Sequence, residues 1–302
     1  MKPDHSRRGI GALLWVLAFL LMLGAGVYQR LTGPTHPMRV EVEVGGENRT
    51  FRLLRAAWTD ETARIEIAAL PGIEGGVVNW RRYPTDDAWS SEPLEVEGEH
   101  WVARLPIQPA AGKLEYWIDL AVDGRTVRLP GTDRGQAVLR YRDPVPLGVL
   151  IPHIAFMFFG VLIAWRAGLG ALAQPVGLER LAWWAVGMFT IGGMILGPIV
   201  QKYAFGEYWT GVPFGWDLTD NKTLVMWLAW LITAFALPKL PPARDSELQA
   251  VPRAGLTARA LVLLASVVTV FVYLIPHSVQ GSELDYEAIE QGVPAEDAIG
   301  IG

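Results

Sequence analysis

The chain has 302 residues, 51% of them hydrophobic and only 19% charged, with a formal net charge of −5; soluble domains carry about 25% charged residues, and so slight an acidic balance gives no reason to expect nucleic acid as a partner. It holds no cysteine, which excludes disulfides, thiolate metal sites, cysteine nucleophiles and cysteine-linked lipid. The charges crowd into residues 38–143 and into the short segments between apolar runs.

Residues 1–9 form a basic tail with Lys2, Arg7 and Arg8, followed by the uncharged run Ile10–Tyr28, a predicted first transmembrane helix (10–28). An alternative is a cleaved leader, because Arg7-Arg8 precede the run and Gly24-Ala25-Gly26 end it.

Residues 38–143 alternate with period two, the pattern of half-buried strands. Val40, Val42 and Val44 are followed by Phe51 and Leu53 across a glycine turn at 45–46. Ile65 and Ile67, Val78 and Trp80, Trp101 and Ala103, Leu114 through Leu120, and Leu139 with Tyr141 continue the pattern. Asp123-Gly124 is a hairpin signal, since both residues tolerate positive φ. Seven or eight short strands without a helical stretch predict an immunoglobulin-like β-sandwich. Trp58, Trp80, Trp89, Trp101 and Trp117 are either a ligand-stacking face or ordinary core and edge aromatics.

Four further apolar runs follow: Leu147–Trp165, ended by Arg166; Leu181–Val200; Thr223–Leu237, ended by Pro238; and Ala260–Pro276. A crossing helix needs roughly 17–25 residues, so the last two are short and depend on flanking aromatics or local thinning. Residues 147–277 are thus predicted to form a four-helix membrane domain with an outer loop at 201–222, and residues 278–302 an acidic tail. Gly192, Gly193 and Gly197 suit close helix packing, and Pro198 predicts a kink. No charge lies deep in these runs, which argues against a pump or proton-coupled transporter. The fold class expected is a membrane α-helical bundle of about five transmembrane helices plus an extracytoplasmic β-sandwich.

Basic residues fall on one side if the helices alternate: the N-terminal tail, Arg166 and Arg180, then Lys239, Arg244, Arg253 and Arg259. The opposite side carries Lys202 and Lys222 and the acids Glu283, Asp285, Glu287, Glu290, Glu296 and Asp297. The positive-inside rule then predicts a bacterial inner-membrane protein with a cytoplasmic N-terminus, and with the β-domain, loop 201–222 and tail in the periplasm.

Loop 201–222 alternates glycines and aromatics, notably Phe205-Gly206-Glu207-Tyr208-Trp209 and Gly215-Trp216-Asp217. Two histidines of the membrane portion flank it: His153, about 9 Å from the start of its helix at 1.5 Å per residue, and His277, directly after the last run. Two imidazoles facing a flat aromatic floor would suit the axial positions of a haem iron. Outer acids such as Asp217, Asp220, Glu283, Asp285 and Glu287 could instead hold a hard cation, or be solvated. Ser282–Glu287 lies close enough in sequence to fold back over the loop.

These residues resemble the tryptophan-rich haem-handling membrane proteins of cytochrome c assembly, whose outer loop reads Trp-Gly-x-x-Trp-x-Trp-Asp. Phe205, Gly206, Tyr208, Trp209, Trp216 and Asp217 are similar to that motif over about residues 147–280. Phe205 stands at the first tryptophan, and six residues separate Trp209 from Trp216 where the family has one. The resemblance implies a haem cradle with His153 and His277 as iron ligands, an apocytochrome or respiratory subunit docking on the β-domain, and binding rather than turnover. Two rival expectations are a non-catalytic scaffold or accessory subunit of an envelope complex, and a small-molecule or cation transporter.

Overall fold

The computed structural model describes residues 5–173, 176–243, 253–276 and 282–300, so His277 lies outside the described residues. The chain divides into two units. A helical unit comprises residues 1–33, 145–201 and 208–280; a β-rich unit comprises 34–144, 202–207 and 281–302.

The helical unit is built from α1 (His5–Thr32), α2 (Leu147–Ala173), α3 (Leu178–Phe189), the first five residues of α4 (Gly197–Phe205), α5 (Leu218–Ala236) and α6 (Leu256–Leu274). A π-helical segment, Thr190–Leu196, joins α3 to α4 without a break. Five helices are long and apolar enough to cross a membrane: Gly9–Thr32, Leu147–Ala173, Leu178–Phe205, Leu218–Lys239 and Leu256–Leu274. They indicate a multi-pass membrane protein. Large apolar side chains such as Leu13, Leu20, Phe159, Ile232 and Phe271 are exposed, as expected where lipid replaces water.

Small residues set the helix packing, because close backbone approach supplies the dispersion contacts that hydrophobicity cannot supply in lipid. A Cβ on Gly160 would lie 2.5 Å from the Phe189 ring, one on Gly168 2.8 Å from Ser266, and one on Gly193 2.8 Å from Thr223. Gly192 is equally tight against Phe156 and Met157, whereas Gly197 has only ordinary contacts. Buried indoles find hydroxyl acceptors: Trp230 Nε1 donates to Thr269 Oγ1 and Trp227 Nε1 to Thr190 Oγ1, both at 2.8 Å.

Two expectations are corrected. Arg166 does not end its helix; α2 runs seven residues further, with Arg166 buried inside it, where Gly168 and Gly170 leave room for Ser266 and for the Arg166 guanidinium. A charge therefore does lie within a span. The third span also carries the π-segment, which ends two residues before Pro198.

The β-rich unit contains β1 (Met38–Val44), β2 (Glu47–Leu53), β3 (Ala56–Trp58), β4 (Ala63–Ala68), β5 (Ile73–Arg82), β6 (Ser90–Pro93), β7 (Glu95–Glu97), β8 (His100–Leu105), β9 (Lys113–Val122), β10 (Arg125–Leu129), β11 (Ala137–Arg142), β12 (Glu283–Leu284) and β13 (Ile299–Gly300). The largest sheet runs β3-β11-β9-β5-β6, with β10 also on β9; β4-β8-β7, β1-β2 and β12-β13 form separate sheets. The alternating residues named above face one core, with Val40, Phe51, Ile65, Val78, Leu114 and Ile118 all buried. Val44 pairs with Glu47 across Gly45-Gly46, and Val122 with Arg125 across Asp123-Gly124; all four turn residues have positive φ. β3 joins β11 in parallel, a pairing that three residues cannot announce in sequence.

The tryptophans divide between cation–π pairs and core packing. Arg142 lies over Trp58 at 4.5 Å, Arg81 over Trp89 at 4.5 Å and Arg128 over Trp117 at 4.0 Å, while Trp80 and Trp101 pack against the core. Trp58, Trp89 and Trp117 thus each carry a cation–π contact on one ring face.

The acidic tail is folded within the β-rich unit. Tyr286, at the start of the short helix α7 (Tyr286–Glu290), is buried; its hydroxyl accepts from Lys113 N and donates toward Lys113 O, each at 3.0 Å. Lys113 Nζ pairs with Glu283, Arg82 pairs with Glu290, and Arg140 Nη2 donates to Ser282 O at 2.6 Å. Ile299 packs on Gly206, whereas Ser282, Glu283 and Tyr286 take their partners from Arg140 and Lys113.

Burial pushes the Tyr286 phenol up to about 12 and raises those of Tyr116 and Tyr141. Between pH 10 and 12 unfolded phenols ionise while these stay protonated, so stability falls with rising pH by about 1.4 kcal/mol per unit per phenol. Lys113 acts in the opposite sense: burial lowers its pKa, and its contribution improves as pH approaches the ordinary lysine value of about 10.4. The expected outcome is cooperative loss of the β-rich unit above about pH 10.5, followed by circular dichroism together with tyrosinate absorbance. Tyrosinate appearing at the ordinary phenol value with the sheets intact would contradict it.

Candidate functional site

Helix α4 continues through Phe205 and α5 begins at Leu218, so the connection is 206–217 rather than 201–222. Asp217 ends it as the N-cap of α5. Its Oδ1 accepts from Thr219 N at 2.7 Å and Asp220 N at 3.2 Å, satisfying two of the helix's orphan donors. Its Oδ2 accepts from Thr210 Oγ1 at 3.1 Å.

Asp220, in the first turn of α5, reaches across the loop. Its Oδ2 accepts from Thr210 N at 2.7 Å and Gly211 N at 3.1 Å. Asn221 Oδ1 accepts from Val212 N at 2.7 Å, and Gln201 Nε2 donates to Thr210 Oγ1 at 2.8 Å. Backbone bonds close the turn, from Phe214 N and Gly215 N to Gly211 O and from Asp217 N to Thr210 O. Gly211 must be glycine, since a Cβ would lie 2.6 Å from Asp220 Cβ and 2.8 Å from Asn221 Oδ1. The N-cap carboxylate of Asp217 and that of Asp220 in the first turn also complement the positive end of the α5 dipole. Lys222 takes a different partner: Nζ donates to Ile275 O at 2.7 Å and Pro276 O at 3.1 Å, capping the C-terminal end of α6.

Thr210, Asp217, Asp220 and Lys222 are all buried. This polar knot spends its hydrogen-bonding groups on the loop itself. What the loop turns outward is aromatic: Tyr208 is 57% exposed, Phe214 67% and Trp216 77%. Trp209 is half-buried and donates to Val212 O at 3.1 Å.

His153 sits on α2 with Nδ1 2.9 Å from Gly192 O. A carbonyl only accepts, so the hydrogen is on Nδ1 and Nε2 carries the lone pair. Gly192 O also accepts from Gly197 N, the wide hydrogen bond of the π-segment; such π-bulges concentrate at functional sites.

The residues singled out from sequence therefore separate. Tyr208, Trp209, Trp216 and Asp217 share the loop, but Asp217 is committed to capping. Phe205 belongs to the β-rich unit, with Arg140 over its ring at 4.2 Å. Among the described residues the hydrogen bond of His153 goes to the π-segment and not to the loop. No group of three or more metal-ligating side chains assembles among the described residues, so the outer acids do not gather into a cation site there; Glu283 is paired to Lys113 instead. Of the residues that hold the loop, Gln201, Thr210, Gly211 and Asn221 were not singled out, and Asp220 was read as a cation ligand or a solvated acid, although Asp217 and Asp220 have the spacing of a cap and its third helical position.

No family model, no curated protein and no solved structure matches the chain.

Proposed function

We propose that this chain is a non-catalytic accessory protein of a membrane complex, whose loop 206–217 recognises a protein partner at the membrane boundary. One observation carries the reading: the loop's buried polar groups are consumed in fixing it, while Tyr208, Phe214 and Trp216 remain exposed on that fixed frame. Rigid aromatic anchors bind without a large ordering cost, and tryptophan and tyrosine dominate interface energetics. In this proposal the N-terminus is cytoplasmic and the loop and β-rich unit are periplasmic, supported by the placement of Lys and Arg. The β-rich unit acts as an immunoglobulin-like docking module on the inner membrane.

The test compares the full chain with a Phe214→Ala/Trp216→Ala variant, each extracted from its native membrane in mild detergent. The wild type is expected to elute with a partner at fixed stoichiometry, and the variant to lose it while melting at the same temperature. A wild type that elutes alone, or a variant that keeps the partner, overturns the proposal.

A second reading, haem presentation, is favoured by His153 alone. A histidine that donates from one ring nitrogen to a backbone carbonyl has the orientation typical of a metal ligand at the other. Nε2 of His153 would hold the iron, and the exposed ring of Trp216 would lie against a porphyrin; Asp217 and Phe205 do not fit, being engaged elsewhere. Haem would supply redox or transfer chemistry to an apocytochrome or respiratory subunit. The full chain purified from haem-replete cells is then expected to show a Soret band that His153→Ala abolishes. No band, or one unchanged in the variant, removes this reading.

A further inference from the structure

Arg166 is the one guanidinium buried inside a span of the helical unit among the described residues. It is only 8% exposed, and neither Nε nor Nη1 has a hydrogen-bond partner. No carboxylate pairs with it among the described residues. Its charge lies over the Trp15 ring of α1 at 5.5 Å. A Cβ on Gly170 would lie 2.7 Å from Nη1 and 3.5 Å from Leu178, so the glycine makes room for the group where α2 ends and α3 begins.

The nearby carbonyls are already taken. Arg259 Nε donates to Ala171 O at 2.6 Å and Nη2 to Leu172 O at 3.1 Å, capping the end of α2. Arg166 lies seven residues before Ala173, where its span ends, and Trp15 six residues after Gly9, where the first span begins, so each is about 10 Å from the end of its span at 1.5 Å per residue. That depth is within reach of the headgroup layer for a long basic side chain that extends toward the interface.

We propose that Arg166 binds the phosphate of an anionic phospholipid in the leaflet where α2 ends. A guanidinium buried with two of its nitrogens unsatisfied is costly, and a phosphate oxygen supplies the bidentate acceptor that its planar fork matches. Basic sites between transmembrane helices recognise anionic headgroups by this chemistry. Trp15, at the same depth, would flank the headgroup with its amphipathic ring.

The test uses the full chain in an uncharged detergent, with phosphatidylglycerol, phosphatidylcholine or inorganic phosphate added, read by native mass spectrometry and by melting. Wild type is expected to retain phosphatidylglycerol in preference to phosphatidylcholine and to melt higher with it. Arg166→Gln should retain on the order of fivefold less, the weight of one basic residue at an anionic surface. Stabilisation by inorganic phosphate alone would assign the site to a free anion and overturn the lipid. Equal retention by wild type and Arg166→Gln would overturn the site itself. So would an Arg166→Gln protein that melts higher than wild type in every lipid, because the guanidinium would then be a buried cost and nothing more. Should Arg166→Gln fail to fold, Arg166→Lys keeps the charge but loses the fork. It should then retain less phosphatidylglycerol than wild type, and equal retention would count against the proposal.

Discussion

Replacing Asp220 with alanine is expected to destabilise the helical unit by about 3–5 kcal/mol, because it strands buried backbone donors and opens the loop. Thr210 N and Gly211 N both depend on its Oδ2, and water cannot reach them without parting Gly211 from α5. Asp220→Asn keeps an acceptor of the same shape and should cost less than half as much. Thermal melting in detergent reports the difference. Equal melting of wild type and Asp220→Ala would mean that the knot does not hold the loop.

Gly160→Leu is expected to cost about 3 kcal/mol, the upper range for overpacking a filled interior. Phe189 is fully buried against Gly160, and the leucine would have to push α3 away from α2 or turn the ring out of its site. Gly197→Ala makes the control, since its nearest contacts are 3.6 and 3.8 Å. A melting temperature lowered only by Gly160→Leu would confirm that close approach at residue 160 seats α3. Equal melting of both variants would contradict it.

What could be read from sequence was whatever local chemistry decides. The alternation of Val40, Val42 and Val44 writes a strand directly, as does Asp123-Gly124 a hairpin, because burial on one face requires period two and the turn requires positive φ. Five apolar runs were legible for the same reason: length and hydropathy are local. What was lost depended on distant partners. Arg166 read as a stop because a charge in lipid is costly, yet Trp15 and Gly170, far away in sequence or silent in it, let it be buried. Phe205 read as part of an aromatic shelf, but Arg140 takes its ring face. The acidic tail read as solvated, whereas Tyr286 is drawn in by the backbone of Lys113. Asp217 is the instructive case, since one residue served both the resemblance and a helix cap. The cap was the simpler physical requirement, and Asp220 three residues later was its available clue.

Loop 206–217 is a frame whose buried polar groups bond within the loop and to α5, with Tyr208, Phe214 and Trp216 left exposed for the proposed partner. Hydrogen exchange of the full chain in detergent tests it most directly. The amides of Thr210, Gly211 and Val212 are predicted to exchange as slowly as those of the first turns of α5, because each donates to a side chain of that helix. Exchange of those three amides at the rate of an unstructured peptide, with α5 still protected, would contradict the claim.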